Sequence, residues 1–412
     1  MRVPCIKCKG RNPANCGRTF CPIVAKSDAL FKVKDKMMDK EDFFGAAPAP
    51  FVGRYGYPNI NVGILSPPEQ KDDAWLHDAP LHWAKEDFKI PQIIDLRSSL
   101  INSRFKAYVK ERSDKLLCIT QEVGMASKPV DIEVNLKKKP VFRLNTDAYM
   151  APTGPNADLK KIQVTSNPKI HTKVDKVVSD TSLKSVDALN YLYKKGFDEN
   201  FLSKLLSVGT LGFQDRRRLV PTRWSITATD DTLSKNMMPD IRQYPESDYL
   251  AFFGSYLGNY YLILFFSEFW SYELFESYLP KAGWNPTNKL DYMTDYEGFY
   301  GRKYYADNCA GGYYTVRLAL AEKMKQLKRQ ASVLVLRFIT GEYAVPLGVW
   351  VTREAARKTL SNRPIKFSDK KLMLTYAKNL IKKKFGVELD FLLKESLLLD
   401  ELGKQKRLSA FT

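Results

Sequence analysis

The chain has 412 residues, 44% hydrophobic and 12% aromatic, which is enough to bury a large core and excludes a wholly disordered protein. Lysine and arginine number 65 against 46 aspartate and glutamate, so the net charge of +19 favours polyanions such as nucleic acids as partners. The alternative is that the protein comes from a lysine-rich proteome, in which many proteins are basic without binding nucleic acid. The apolar runs are too short to cross a membrane and no signal peptide is visible, so we expect a cytoplasmic protein.

Four of the six cysteines lie near the N-terminus with the spacing Cys5-x2-Cys8-x7-Cys16-x4-Cys21. Four thiolates satisfy a tetrahedral zinc ion, and the short first spacing is typical of a zinc knuckle. A segment of this length needs a metal in order to fold. We therefore predict that residues 1–25 form a C4-type structural zinc module. Iron, an iron–sulfur cluster or four unligated cysteines in a disordered tail are the alternatives.

The rest of the chain predicts strands and helices that follow each other without a regular βαβ rhythm. Residues 26–50, which end in Ala-Ala-Pro-Ala-Pro, are predicted to be a linker. Short apolar or alternating runs predict strands at Asn61–Leu65, Leu116–Gln121, Val130–Leu136, Thr222–Thr227, Tyr260–Phe266, Ser332–Phe338 and Leu347–Val351. Apolar spacing of three and four residues predicts helices at Ser182–Lys194, Phe201–Leu206, Tyr314–Arg329, Asp369–Lys384 and Phe391–Leu402.

This mixture predicts an α+β fold with a mixed sheet in its main body and a helical C-terminal region. We place the main α+β domain at residues 51–300 and a C-terminal α/β domain at residues 301–402. Residues 403–412 are then a free tail.

A glycine-rich segment at the start of the body combines arginine with aromatic side chains. Arg54, Tyr55 and Tyr57 are interleaved with glycines in Gly53-Arg-Tyr-Gly-Tyr-Pro. Glycine allows close approach to a phosphate backbone, and aromatic faces can stack on bases. We predict that these three side chains contact nucleic acid, with a glycine-rich turn leading into a strand as the alternative.

A second basic segment runs from residue 215 to residue 231. Its arginines can grip phosphates bidentately, and its tryptophan can stack on a base. The residues predicted to do so are Arg216, Arg217, Arg218, Arg223 and Trp224. Asp230 and Asp231 end the predicted strand, a position from which paired carboxylates can hold Mg²⁺ or Mn²⁺ for phosphodiester chemistry. Capping of the following turn is the alternative for the two aspartates.

Two further candidates are weaker. His77 and His82 lie among three aspartates, a composition compatible with a zinc or manganese site, although loops rich in Asp and Pro are common. Cys309 precedes a Gly-Gly pair and is a candidate nucleophile, although a lone cysteine is more often a small buried hydrophobe.

The chain closes with Gln405-Lys-Arg-Leu408-Ser-Ala-Phe411-Thr412, which resembles the peptide (the PIP box) that docks on the sliding clamp PCNA. A single 3₁₀-like turn would place Leu408 and Phe411 on one side as a hydrophobic plug, with Gln405 beside them. Thr412 stands where such peptides usually carry a second aromatic residue, which should weaken binding. The frayed end of the last helix is the alternative.

Taken together, five features resemble the archaeal Nre DNA-repair proteins. They are the N-terminal four-cysteine module, Gly53-Arg-Tyr-Gly-Tyr-Pro, Arg217-Arg-Leu-Val-Pro-Thr-Arg-Trp-Ser-Ile-Thr, Cys309-Ala-Gly-Gly-Tyr-Tyr and the peptide from Gln405 to Thr412. The resemblance implies a role in DNA damage repair, a zinc-binding N-terminus and recruitment to PCNA through the last eight residues. It implies no particular reaction.

The leading hypothesis is therefore a DNA repair factor that holds DNA with its basic surface and is tethered to PCNA by its tail. A metal-dependent nuclease or other DNA-processing enzyme, with Asp230, Asp231 or the loop of His77 and His82 in its active site, is the second hypothesis. A non-catalytic adaptor is the third. An RNA-binding or translation-linked protein is the fourth, because basic four-cysteine modules also bind RNA.

Overall fold

The computed structural model describes residues 8, 10, 11, 20–142, 151–280 and 282–404. It divides the chain into two units, the first Met1–Leu233 with Val345–Gly348 and the second Ser234–Ala344 with Val349–Thr412. The ranges expected from the sequence, 51–300 and 301–402, do not coincide with these units. Within the described ranges, no helix is long and apolar enough to cross a membrane. The predicted site residues that lie outside the described residues are Cys5, Cys16, Gln405, Leu408, Phe411 and Thr412.

The first unit contains six strands and several short helices. The strands are β1 (Asp42–Ala47), β2 (Ala49–Val52), β3 (Asn59–Ser66), β4 (Ile101–Tyr108), β5 (Val130–Leu136) and β6 (Asn156–Val164). The helices are α1 (Pro22–Met37), α2 (Pro80–Lys85), α3 (Ile90–Ser98), α4 (Lys115–Met125), α5 (Thr172–Ser179), α6 (Ser185–Lys194) and α7 (Glu199–Ser207), with 3₁₀ turns at Ala74–Asp78 and Gln214–Arg216. Helix α8 (Thr222–Ile241) runs from the first unit into the second.

The six strands of the first unit follow the order β1-β5-β6-β4-β3-β2. The pairing of β4 with β6 is parallel, and the other pairings are antiparallel. The edge strands β1 and β2 are consecutive in the chain and separated by Pro48 alone, which lacks the N–H needed to continue a ladder. Together they act as one bent strand that pairs with β5 at one end and with β3 at the other. The sheet therefore closes into a barrel.

The barrel interior follows from alternation along its strands. Val130, Ile132, Val134 and Leu136 of β5 are buried, whereas the residues between them are more exposed. Helix α4 adds Val123 and other apolar residues to the same core. The core thus fills the barrel and leaves every second side chain of the strands directed outward.

The second unit is built on another six-stranded sheet, in the order β10-β9-β11-β8-β7-β12. Its strands are β7 (Tyr249–Tyr256), β8 (Asn259–Phe266), β9 (Ser271–Tyr278), β10 (Asp291–Glu297), β11 (Ser332–Ile339) and β12 (Ile365–Phe367). Its helices are α9 (Ala310–Leu327), α10 (Trp350–Ser361), α11 (Lys370–Phe385), α12 (Asp390–Lys394) and α13 (Leu397–Lys404). Leu334 and Leu336 of β11 pack in one core with Ile381 of α11 and Leu398 of α13.

The structure confirms the α+β mixture and most of the predicted elements. The strands predicted at Asn61–Leu65, Val130–Leu136, Tyr260–Phe266 and Ser332–Phe338 lie in β3, β5, β8 and β11. Helices are found at each predicted position, although the segment 391–402 is divided between α12 and α13. The zinc module stays a prediction, because two of its four cysteines lie outside the described residues.

Three strand predictions are wrong, because the β-branched and apolar residues that suggested strands lie in helices or beside one. Leu116–Gln121 belongs to α4, whose first turn is capped when the Asp114 side chain accepts a hydrogen bond from the Leu117 N–H at 3.0 Å. Thr222–Thr227 forms the start of α8, directly after Pro221. Leu347–Val351 leads into α10, which begins at Trp350.

The segment 26–50, expected to be a linker, also has regular structure. It contains most of α1, the whole of β1 and the start of β2. The Ala-Pro repeat suggested an extended linker, and the backbone is indeed extended there. It is extended because it forms the bent edge strand of the barrel.

Candidate nucleic-acid interface

The loop of residues 53–58 joins β2 to β3 and carries the first predicted binding segment. Gly56 has a φ of 84°, and a Cβ there would lie 2.7 Å from the Asn59 carbonyl oxygen, so the turn requires glycine. Tyr55 and Tyr57 are 77% and 45% exposed. The Arg54 guanidinium lies 5.1 Å from the Tyr55 ring centroid and donates a hydrogen bond to its hydroxyl at 3.3 Å. The loop therefore presents arginine and aromatic surface to solvent.

The second predicted segment reaches the same place through the first turn of α8. The Trp224 ring, 46% exposed, lies 5.5 Å from the Tyr57 ring centroid with an interplanar angle of 51°. The start of α8 is held against β2 because the Val52 N–H donates to the Thr222 hydroxyl at 2.9 Å. Two segments about 170 residues apart in sequence thus meet. We call Arg54, Tyr55, Tyr57, Arg223 and Trp224 the aromatic–arginine cluster.

The electrostatics of this cluster favour anions. The hydrogen bond from Arg54 and its positive charge, together with the charge of Arg223, lower the pKa of the Tyr55 hydroxyl below its ordinary value. Arg223 is therefore close enough to act on the same ring. Positive charge beside exposed ring faces is the combination that holds a phosphate backbone and stacks its bases.

The three arginines before the cluster differ from each other. Arg216 and Arg218 are exposed, and Arg216 contacts the Phe213 ring at 5.7 Å. Arg217 instead donates from Nε to the Gly212 carbonyl at 2.9 Å and from Nη2 to the Val178 carbonyl at 2.8 Å. Burial lowers the pKa of the Arg217 guanidinium. Arg217 thus fastens the C-terminal end of α5, and its donors are directed at the protein itself.

The aspartate pair is not at the end of a strand. Asp230 and Asp231 lie inside α8, and Asp230 is fully buried. Both residues already interact with other groups of the chain. Adjacent helical residues point about 100° apart, so the two carboxylates do not share one face of α8.

The predicted histidine site is also dispersed. His77 is buried in a 3₁₀ turn with Nδ1 3.1 Å from the Ala74 carbonyl oxygen, and burial lowers the pKa of its imidazole. The centroid of the His82 ring lies 4.9 Å from that of Trp75 and 5.7 Å from that of Phe88. In the part of the chain that the structure describes, no group of three or more His, Cys, Asp or Glu side chains is arranged to hold a metal ion.

Of the four N-terminal cysteines, Cys8 and Cys21 are described. The Cys8 carbonyl accepts a hydrogen bond from the Arg11 N–H at 3.0 Å, and Gly10 between them has a φ of 78°. This tight turn after a cysteine is compatible with a zinc knuckle. Cys21 directly precedes α1, which is linked to α3 by an ion pair between Lys32 and Asp95 at 2.7 Å.

Cys309 is an unsuitable nucleophile. Its thiol is buried, with Sγ 3.6 Å from the Leu274 carbonyl oxygen and 3.7 Å from that of Met293. Burial raises the pKa of the thiol well above its ordinary value, so the sulfur stays protonated. The thiol therefore behaves as a small buried side chain.

The sequence analysis missed part of the surface beside the cluster. Tyr108 of β4, 44% exposed, lies opposite Asn59, the residue that follows the loop 53–58. Lys106 is exposed two residues earlier and lies opposite Asn61. The alternation of polar and apolar residues in Ile101–Tyr108 is the signal that would have identified this half-exposed strand.

Comparison with known proteins identifies the family of this chain. The family model described as Archaeal Nre, N-terminal, matches residues 15–285, and that described as Archaeal Nre, C-terminal, matches residues 297–411. The chain belongs to the archaeal Nre family. No solved structure matches it.

Three curated relatives cover most of this Nre chain. DNA repair protein NreB of Archaeoglobus fulgidus is 37% identical over 367 residues, which are 89% of this chain and 90% of the relative. DNA repair protein NreA of the same organism is 35% identical over 392 residues, or 93% and 95% of the two chains. DNA repair protein NreA of Haloferax volcanii is 35% identical over 321 residues, or 76% of each chain.

Proposed function

We propose that this Nre protein acts in DNA repair, binds DNA through the aromatic–arginine cluster and is recruited to the sliding clamp PCNA by its C-terminal tail. The names of its three relatives support the repair role, since each is a DNA repair protein and this chain covers between 76% and 95% of their lengths. The cluster and the tail supply the two contacts that such a role needs.

One observation supports DNA binding above the others. Tyr57 and Trp224 form an exposed aromatic pair that is flanked by Arg54 and Arg223. Stacking of a base on an aromatic side chain contributes about 1–3 kcal/mol, and an adjacent guanidinium can pair with the phosphate of the same nucleotide. Rings that served only the core would be buried.

The DNA-binding proposal is tested by replacing Tyr57 and Trp224 together with alanine and measuring DNA affinity by fluorescence anisotropy. Loss of stacking should weaken binding by about 5- to 100-fold. Phe44→Ala is the matched control, because Phe44 is a 54% exposed aromatic residue of the same barrel on β1. Equal affinity of the double variant and wild type would place the DNA site elsewhere.

Recruitment to PCNA rests on the peptide after α13, which ends at Lys404. Leu408 and Phe411 supply the apolar plug, and tethering to a clamp already on DNA raises the local concentration to about the millimolar range even for a weak peptide. Leu408→Ala with Phe411→Ala should abolish clamp binding and leave DNA affinity unchanged. Ser409→Ala should retain both. A double variant that still binds the clamp as tightly as wild type would exclude the tail as the contact.

The N-terminal module completes the proposal. Cys5, Cys8, Cys16 and Cys21 would hold a structural zinc ion that orders residues 1–25. Metal analysis of the purified chain should find about one zinc per molecule, in keeping with a four-thiolate site. Cys5→Ser with Cys8→Ser should lose it, whereas Cys118→Ser, at an exposed position outside the module, should keep it. Wild type without zinc would contradict this part of the proposal.

A further inference from the structure

The strand pairings of the first unit define a specific kind of barrel. If β1 and β2 are counted as one bent strand, that strand pairs antiparallel with β3 and with β5. β3 pairs antiparallel with β4, β4 pairs parallel with β6, and β6 pairs antiparallel with β5. Helix α4 lies between the third and fourth strands of this count. This is the strand order of the five-stranded OB barrel, whose members bind oligonucleotides and oligosaccharides.

OB barrels bind on the outer face of their second and third strands, between the first loop and the loop that joins the fourth and fifth strands. The second and third strands are here β3 and β4, and the first loop is residues 53–58, the loop of the aromatic–arginine cluster. The other loop begins after β5 and ends where β6 starts beside Asn102 of β4. Asn59 and Tyr108 mark one end of the β3–β4 pair, and Asn102 lies near the other. The two loops therefore lie at opposite ends of this face.

The outer face of β3 and β4 carries polar, basic and aromatic side chains. Arg104, Lys106 and Tyr108 point outward between buried residues of β4. Gly63 lies opposite Arg104, and a Cβ there would lie 1.9 Å from Asn102 Oδ1, so glycine leaves room for the Asn102 side chain. A face with the exposed Lys106 and the half-exposed Arg104 suits an extended polyanion.

The far end of this face opens into a cavity of about 680 Å³. Its charged lining residues are Lys26, Arg104, Lys138, Lys139 and Asp158, of which Lys26 is buried and Arg104 Nε lies 3.3 Å from Asp158 Oδ1. Lys139 pairs with Asp39 at 2.7 Å, but both side chains are exposed. An exposed pair is screened by water and contributes little to stability, so Lys139 can exchange Asp39 for a phosphate at low cost. The excess of positive charge suits phosphates rather than neutral sugars.

We propose that single-stranded DNA lies along the outer β3–β4 face, from the aromatic–arginine cluster to the cavity at Lys138 and Lys139. Bases stack on the cluster and on Tyr108, and phosphates follow Lys106, Arg104 and the two lysines after β5. Stacking on protein rings requires unpaired base faces, so a duplex binds less well. This inference rests on the proposed function and specifies its ligand and its track.

The test uses the full chain and fluorescein-labelled oligothymidylates of 4 to 24 nucleotides, measured by anisotropy beside a 16-base-pair duplex. Affinity should rise with length and level off within the range of about 4–16 nucleotides typical of one OB barrel. The 16-mer should bind about tenfold or more tighter than the duplex, because the duplex hides its base faces.

Variants then locate the track. Lys106→Ala, and Lys138→Ala with Lys139→Ala, should each weaken binding of the 16-mer by about 3- to 10-fold and lower the salt dependence by about one ion per lysine. Lys128→Ala is the matched control, because Lys128 is an exposed lysine just before β5, a strand that pairs with β1 and β6 rather than with β3 or β4. Circular dichroism confirms that each variant is folded.

Each outcome separates this inference from the proposed function. If the lysine variants bind like the control while the Tyr57→Ala, Trp224→Ala double variant is weakened, the track is wrong and the cluster remains a DNA site. Tighter binding of the duplex overturns the single-strand assignment alone. Tighter binding of oligouridylate than of oligothymidylate assigns RNA and overturns the proposed ligand. If no nucleic acid binds, both proposals fail.

Discussion

The arginines of the aromatic–arginine cluster in the first unit are exposed, whereas Arg317 and Arg337 of the second unit are buried against carboxylates. Arg54 and Arg223 are exposed beside Tyr57 and Trp224. In the second unit, Arg317 Nη1 lies 2.9 Å from Glu297 Oε2, with the two side chains only 2% and 1% exposed. Arg337 pairs with Glu276 and donates from Nη2 to Asn259 Oδ1 at 2.6 Å.

The difference lies in where the donors of each guanidinium point. A buried arginine must be paired, because an unpaired buried charge is costly, so its donors are used up within the fold. An exposed arginine keeps donors for a ligand.

The buried pair of the second unit also explains why the motif Cys309-Ala-Gly-Gly-Tyr-Tyr contains glycine. A Cβ on Gly312 would lie 2.4 Å from Glu276 Oε1, so glycine leaves room for the pair of Glu276 and Arg337. That motif supports the core of the second unit.

The largest expected effect comes from breaking the buried pair. Arg337→Met leaves the Glu276 carboxylate unpaired and should reduce the free energy of unfolding by about 3–5 kcal/mol. Urea denaturation measures the loss. Adding Glu276→Leu should restore part of it, because the unpaired charge is then removed. The exposed counterpart Arg54→Met should change stability by less than about 0.5 kcal/mol. Equal losses for Arg337→Met and Arg54→Met would contradict the distinction.

Thiol reactivity provides the second comparison. Cys118 is exposed in the first unit, and Cys309 is buried in the second with a raised thiol pKa. Alkylation by iodoacetamide, followed by mass spectrometry of the peptides, should modify Cys118 about 100-fold faster than Cys309, since only the thiolate reacts and Cys309 must first be exposed. The rates should converge in urea. Rapid native labelling of Cys309 would reopen its role as a nucleophile.

A third comparison lies within one triplet of arginines. Arg217→Ala removes the donors that hold the carbonyls of Gly212 and Val178, and should destabilise the protein by about 1–3 kcal/mol. Arg216→Ala should leave stability unchanged and reduce the salt dependence of DNA binding by about one ion. Thermal unfolding and anisotropy distinguish the two. If Arg217→Ala weakens DNA binding without loss of stability, Arg217 is a ligand contact after all.

The smallest effect is a titration. Positive charge stabilises the phenolate of Tyr55 and lowers the pKa of its hydroxyl, so Arg54→Gln should raise that pKa toward the ordinary tyrosine value of about 10. Arg223→Gln should raise it by a smaller amount, because Arg223 acts through charge alone. NMR of ring-labelled tyrosine measures both shifts relative to wild type. An unchanged Tyr55 pKa in both variants would show that neither arginine stabilises the phenolate of Tyr55.

Local composition determined the candidate side chains of the cluster. Arginine and aromatic residues between glycines predicted ligand contacts at 54–57, the run of arginines with a tryptophan predicted them at 223–224, and apolar periodicity predicted β3, β5, β8 and β11. The same reasoning failed at Leu116–Gln121 and Thr222–Thr227, where β-branched residues favour strands locally but packing and end effects select helices. It also assigned Arg217 to phosphate, because sequence does not show which carbonyls lie within reach.

The sequence by itself determined the charge, the cysteine spacing, the two aromatic and basic segments and the family resemblance, because each of these depends on residue type and on spacing over a few residues. Tertiary structure alone decided that Tyr57 meets Trp224, that β1 and β2 bend at Pro48 to close a barrel, and that Asp230 is buried inside a helix. These features depend on contacts between distant parts of the chain, whose register is set by the packing of the whole barrel.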